Sequence, residues 1–151
     1  MIHELLRRQP LFKGLSDSQI ATLAGTVEVV DVPEGTLLFA AGGPAAHLYL
    51  VVSGRVSLEL APGDHSPLVV QTVGPGELLG LSWLAERAHW QWDARAAVDT
   101  CLVEFSVVGL RRLWASDHEL ERILMERIAA TLAERLHAAR LQLADLYGDN
   151  W

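Results

Sequence analysis

The spacing of hydrophobic positions changes twice along the chain. Residues 2–8 carry a mixed run that can form a short helix, and Pro10 interrupts it, because proline lacks an amide donor and restricts the residue before it. Ser16-Asp17-Ser18-Gln19 then precedes Ile20, Leu23 and Ala24, which recur at helical spacing. Ser16 followed by Gln19 three residues later is a capping-box pattern, and Gly25 closes that helix. From Val27 the period becomes strand-like. Val27, Val29 and Val32 lead to the turn Pro33-Glu34-Gly35, and Thr36–Ala40 follows before the Gly42-Gly43-Pro44 turn. His47–Val52 is rich in strand formers. Arg55–Leu60 alternates, with Val56, Leu58 and Leu60 on one face and Arg55, Ser57 and Glu59 on the other. Residues 61–66 form a hairpin loop from which Leu68–Val73 returns.

The stretch Thr72–Val98 breaks this regularity. It passes from a strand through a Pro-Gly turn and a Trp-rich helical insert back into a strand, and an irregular piece of this kind is where a barrel keeps a site. The last third is helical. Val108–Trp114 predicts a short helix. Ser116 as N-cap, with Glu119 at the third helical position, starts a long one that runs to about Tyr147, with Gly148 just past its end. Leu132, Leu136, Ala139, Leu143 and Leu146 recur at alternating spacings of four and three, a heptad seam. That seam either packs on the chain's own barrel or pairs two copies.

Composition narrows the function classes. With 151 residues, half of them hydrophobic and about a fifth charged, the chain is long enough for one domain with a real core. No apolar run is long enough to span a bilayer, and the mixed N-terminus is unlike a signal peptide. The net charge of −7 opposes a phosphate backbone, and Lys13 is the only lysine. Cys101, in the run TCLVEFSV, reads as a strand thiol in a reducing cytoplasm. His3, His47, His65, His89, His118 and His137 include no i, i+4 pair on one helix, so no metal site is expected. No nucleophile–base pattern or Walker loop is present, and no enzymatic activity is expected; a cupin-like metal enzyme is the reading that the scattered histidines argue against.

Four segments together carry a resemblance: Leu11–Ser16, Val32–Gly42, Leu48–Val56 and Val73–Gly80. With their glycines at sharp turns, they resemble a cyclic-nucleotide-binding domain, the sensor half of catabolite-activator and FNR-type (CRP/FNR) regulators. The resemblance implies a mainly β fold with flanking helices. It is a double-stranded β-helix or jelly-roll of eight strands (residues 26–107), with N-terminal helices (1–25) and C-terminal helices (108–148) in a single domain over 1–151. It also implies that Thr72–Val98 holds a phosphate-binding cassette, in which an arginine and a helix N-terminus bind the cyclic phosphate and a glutamate binds the ribose.

Two registers fit the cassette. In the first, Gly80 matches a family glycine, Leu81 stands where the family glutamate stands, and the phosphate arginine falls at His89 or Trp90. The base contacts then fall at Ala139 and Arg140. In the second, Gly76-Glu77-Leu78 is the glycine-glutamate-leucine itself, with Glu77 for ribose and Arg87 for phosphate. The candidate ligand residues are therefore Glu77, Gly80, Leu81, Ser82, Trp83, Arg87, His89, Trp90, Arg95 and Arg140. Ser82 can cap a short helix. Trp83, Trp90 and Trp92 either fill the pocket or offer a stacking platform. Alternation puts Asp93 and Arg95 on one strand face, where they can pair.

The expected protein is a stand-alone bacterial regulatory module of this family with a degenerate cassette, acting through protein contacts. The alternative is a genuine receptor for cyclic AMP or another cyclic nucleotide that signals by moving its C-terminal helix. No cofactor is required, a cyclic nucleotide being the one candidate. Expected partners are a second copy, through the C-terminal helix, and another protein. With the chain ending at Trp151, no helix-turn-helix, DNA or membrane contact is expected.

Overall fold

The N-terminal helices form where the capping pattern directs them. A computed structural model describes residues 1–60, 66–81 and 89–148. Helix α1 (Ile2–Arg7) is followed by a 3-10 turn (Pro10–Phe12) and by α2 (Asp17–Ala24). Both halves of the capping box are made: Ser16 Oγ accepts from the Gln19 amide at 3.1 Å, and Gln19 Oε1 accepts from the Ser16 amide at 3.0 Å. Each bond satisfies an amide that helix geometry leaves without a partner.

Eight strands follow: β1 (Val27–Val32), β2 (Leu37–Phe39), β3 (His47–Ser53), β4 (Val56–Leu60), β5 (Leu68–Val73), β6 (Leu78–Leu79), β7 (Asp93–Ala96) and β8 (Thr100–Ser106). They form two antiparallel sheets, ordered β1-β8-β3-β6 and β2-β7-β4-β5. The order is far from sequential, so distant segments are neighbours, as in a jelly-roll. The sequence-based fold class is borne out: a β-roll flanked by N-terminal helices and a long C-terminal one. Close packing sets some residue choices. Gly54 has φ +91°, and a Cβ there would lie 2.5 Å from Thr100 Oγ1, so only glycine lets β3 turn into β4 beside the start of β8.

Three local features go beyond or against the sequence patterns. The polar face of β4, which alternation assigns to neither core nor solvent, is covered. Ser57 and Glu59 are as buried as Val56 and Leu58, while Leu60 is exposed. Their cover is β7: Ser57 stands opposite Arg95, and the Arg95 side chain crosses to Glu59. Second, Ser116 does not cap the long helix. Helix α3 runs from Val107 to Ser116, capped by Ser106 Oγ, which accepts from the Gly109 amide at 3.2 Å; Ser116 Oγ is turned back to the Leu113 carbonyl. Asp117 takes the capping role for α4 (His118–Gly148), its Oδ1 accepting from the Leu120 amide at 3.0 Å. Third, Gly148 lies inside α4 and not past its end.

Helix α4 is 31 residues long, and the roll covers only its first part. Leu120, Leu124 and Ile128 are buried, whereas Leu132, Leu136 and Leu143 are 43%, 52% and 53% exposed. Arg127 fastens the covered part, donating to the carbonyls of Pro10 at 3.0 Å, Leu11 at 2.7 Å and Lys13. One guanidinium thereby satisfies three carbonyls of the N-terminal turn, a use suited to its planar fork.

Replacing Asp117 by Ala should cost about 0.5–2 kcal/mol, the usual loss of an N-cap, whereas Ser116→Ala should be close to neutral. Urea denaturation midpoints of the two variants check the assignment; the opposite order would reverse it.

Candidate functional site

The cassette is fixed by two glycine turns and one aromatic stack. Gly76 has φ +81°, and its amide donates to the Val51 carbonyl at 2.8 Å, so the Pro75-Gly76 turn is tied to β3. Glu77 closes the same turn: its amide donates to the Gly74 carbonyl and its Oε1 accepts from the Gly74 amide, both at 3.1 Å. Strand β6 then pairs with Tyr49 and Leu50 of β3. Gly80 ends it with φ +90°, and a Cβ there would stand 2.9 Å from the His47 carbonyl oxygen and 3.1 Å from the Trp90 ring.

That ring is the centre of the site. Trp90 is 6% exposed and stacks on Phe39 with centroids 3.9 Å apart and planes at 16°. Phe39 in turn stacks on Tyr49 at 6.2 Å and 22°. The Trp90 backbone is held as firmly: its amide donates to Gly43 at 2.8 Å and its carbonyl accepts from Gly42 at 2.9 Å. The Gly42-Gly43-Pro44 turn therefore positions the ring. A cavity of about 150 Å³ remains beside it, bounded by Phe39, Leu58, Gln71, Leu79, Gly80, Leu81, Trp90 and Trp92 and by Arg135 of α4.

A second, more open groove of about 750 Å³ runs between β5, the Gly76-Glu77 turn and α4. Helix positions 131, 135, 138 and 142 line it, one stripe of the helix. Arg135 bridges the groove and the cavity. Its Nη2 donates to the Leu78 carbonyl in β6, while its Nε is sealed from solvent with no partner. Burial lowers the guanidinium's pKa, and the negative charge of Glu77 partly opposes this.

The other predicted residues are dispersed. Gly80, Leu81 and Trp90 meet in the cavity, whereas Glu77 lines the outer groove. His89 is exposed and bridges to Pro44. Arg95 stands on the opposite face of its strand from Ala94, which is in register with the cavity-lining Leu58. There it pairs with Glu59, Nε to Oε2 3.3 Å, and donates to the Gly35 carbonyl at 3.0 Å. The expected Asp93–Arg95 pair is not made, because Asp93 Oδ1 accepts from the Ala41 amide at 2.7 Å. Arg140 is exposed and lines neither cavity, while Ala139 borders the groove. Ser82, Trp83 and Arg87 lie outside the described residues. Trp92, at 38% exposure, forms part of the cavity wall.

Sequence reasoning missed Arg135 and Gln71. The signal for Arg135 was present: extending the buried stripe Leu120, Leu124, Ile128 by seven residues lands on it. Elsewhere, a cluster of Tyr49, Glu104 and His47 sits where β3 meets β8, with His47 Nε2 3.7 Å from Glu104 Oε1. Burial raises the Tyr49 pKa, and Glu104 raises it further. Cys101 is also shifted up, by burial and by its neighbour Asp31, which makes it a poor nucleophile. Among the described residues no group of three or more His, Cys, Asp or Glu side chains is placed to hold a metal, and no helix is long and apolar enough to cross a membrane.

Comparison with known proteins agrees with this geometry. A sequence model described as "Cyclic nucleotide-binding domain" matches residues 29–117. The chain is 29% identical over 147 residues to a CRP-like cAMP-activated global transcriptional regulator of Mycobacterium tuberculosis, which covers 95% of this chain and 62% of the regulator. Among solved structures, the N-terminal domain of a transcriptional regulator from Streptomyces coelicolor superposes with a TM-score of 0.70 at 29% identity, covering 87% of this chain and 94% of that one. The Thermus thermophilus catabolite activator protein gives 0.71 at 29% identity, with 92% and 63% covered. The chain thus spans less than two thirds of the curated regulator it matches.

Gly80→Ala should cost about 1–3 kcal/mol through the left-handed backbone and the displaced Trp90 ring. Thermal unfolding and Trp fluorescence check this; an unchanged midpoint with unchanged emission would show that the ring is not seated on Gly80.

Proposed function

The chain belongs to the cyclic nucleotide-binding domain family, and from that premise we propose that it is a regulatory module of the CRP/FNR type whose nucleotide cassette has been remodelled, so that it acts through protein contacts. The observation that carries this reading is the Trp90 ring against Gly80, which leaves about 150 Å³ where the family places a nucleotide. Pockets for ligands of drug-like size run from roughly 300 Å³ upward. The chemistry of the wall agrees with the space. Leu81 cannot accept a hydrogen bond from a ribose hydroxyl. Arg95 is already paired with Glu59 on the opposite face of its strand. Glu77 and Glu134 share the groove with Arg135, leaving a net negative charge unsuited to a phosphate.

Protein contact would be made through α4. Its exposed seam of Leu132, Leu136, Ala139, Leu143 and Leu146 has heptad spacing and fits a second copy of itself, giving a homodimer. The proposed module comprises residues 1–151 as one domain, working in the cytoplasm without catalysis, and its net charge of −7 weighs against DNA contact by this domain. The second reading is a cyclic AMP receptor in which Glu77 and Arg87 bind ribose and phosphate. It is supported by the similarity to the Mycobacterium tuberculosis relative, a cAMP-activated regulator.

Calorimetric titration separates the two. Cyclic AMP and cyclic GMP should give no saturable heat at millimolar concentration. Micromolar affinity for either, abolished by Arg87→Ala, would replace the first reading with the second. For the dimer, Leu136→Glu combined with Leu143→Glu should reduce the mass seen by light scattering from that of two chains to that of one. A parent protein already monomeric would refute the dimer.

A further inference from the structure

We propose that the groove between β5 and α4 is a docking site for an extended, positively charged protein segment, which adds as a strand to the outer edge of β5. The inference rests on the preceding reading that the module acts through protein contacts, and it names the chemistry of the segment received. The open edge is the first reason. Among the described residues, β5 ends its sheet with β4 as its one strand neighbour, and Leu68–Val73 make no backbone hydrogen bond outside that pairing. Alternate residues of an edge strand aim both N–H and C=O away from the sheet, which makes a template for a further strand. Leu68, Val69 and Val70 are exposed, so the apolar side chains beside that edge are uncovered too.

The groove lies along that edge and not on one face of the sheet. Gln71 and Thr72 are consecutive, so their side chains point to opposite faces, and both line it. The far wall is α4, where Thr131, Ala138 and Ala139 are small enough to admit a backbone. From position 131 to 142 this wall is roughly 16 Å long at 1.5 Å per residue, the span of about five extended residues. An open groove with a polar wall suits a ligand held by main-chain hydrogen bonds, the usual source of affinity when a strand is added to a sheet.

Charge selects the segment. Glu77 and Glu134 line the groove and are exposed, while the one guanidinium there, Arg135, is held to the Leu78 carbonyl. The two carboxylates therefore favour lysine or arginine on the entering strand. A second copy of this chain, with its net charge of −7, is the poorer match. Its place is the neighbouring seam, whose Leu132, Leu136 and Leu143 do not line the groove. Val70 is the extra residue of a bulge opposite Leu58 and Glu59. A bulge hinders edge-to-edge pairing of whole sheets, so a short separate segment fits this edge better than another β5.

The probe is a blocked octapeptide of alternating lysine and valine, added to the full chain. Binding is read by anisotropy of a fluorescent label on the peptide and by hydrogen exchange of the β5 amides. It should be saturable and should slow exchange at alternate β5 residues. The same peptide with glutamate in place of lysine should bind about tenfold or more weakly. The lysine peptide methylated at every backbone nitrogen keeps its charge, loses its donors and should not bind. Glu134→Lys, at an exposed helix position, should weaken the lysine peptide several-fold. Absence of saturable binding, equal binding by the methylated peptide, or unchanged affinity in the Glu134→Lys chain would overturn the proposal. So would binding only by the Leu136→Glu, Leu143→Glu chain, since a second copy would then be what covers the groove. Micromolar cyclic AMP affinity with no peptide binding would overturn the preceding reading and this one; silence to both probes would overturn this one alone.

Discussion

The contact between the Gly80 backbone and the Trp90 ring is the constraint from which the rest of the site follows. With no Cβ at Gly80, the ring closes to within van der Waals distance of the chain and lies flat on Phe39. That stack reaches Tyr49, so β2, β3 and the segment before β7 are joined by aromatic surface. The Trp90 backbone pairs with the Gly42-Gly43-Pro44 turn, which fixes where the ring starts, and stacking on Phe39 holds the ring itself. Ring, turn and glycine are mutually supporting, and the volume left over is a consequence of them.

The arginines divide the remaining work. Arg95 is spent on Glu59 and on the Gly35 carbonyl, stitching β7 to β4 and to the turn before β2. Arg127 ties α4 to the N-terminal turn, and Arg135 ties it to β6. Helix α4 thus carries two functions on adjacent faces. The stripe 120, 124, 128 and 135 faces the roll, and 132, 136, 143 and 146 on the neighbouring flank are exposed, with 139 at the edge of the groove. The low cover of the second stripe and the tether on the first mean that β6 is joined, through the Arg135–Leu78 hydrogen bond, to the helix that carries an exposed apolar seam.

Much of the fold was legible because its signals are local. Alternation found the strands, the capping box found α2, and the turn glycines found the corners. What failed depended on tertiary context. Alternation alone puts Ser57 and Glu59 on one face without saying what covers it, because nothing local reveals that Arg95 lies across them. Ser116 and Asp117 are adjacent capping residues, and the sequence does not say which one α3 consumes. The site was less legible. Its outline at Gly80, Leu81 and Trp90 followed from the cassette spacing, but Gln71 and Arg135 are 64 positions apart in the numbering and meet only in the folded chain. A lone arginine beside a leucine seam reads as a solvated charge unless the buried stripe is extended to it.

Electrostatics gives the strongest reason to separate this fold from its family's ligand. A phosphate site needs a cation whose charge is uncommitted and open to the ligand. Arg95 is already paired, and Arg135 has Glu77 for company and a carbonyl in its grip. A roll can keep its turns, sheets and helices under those changes because they depend on glycine positions and apolar packing. The charge of the site depends on a few side chains that packing does not constrain.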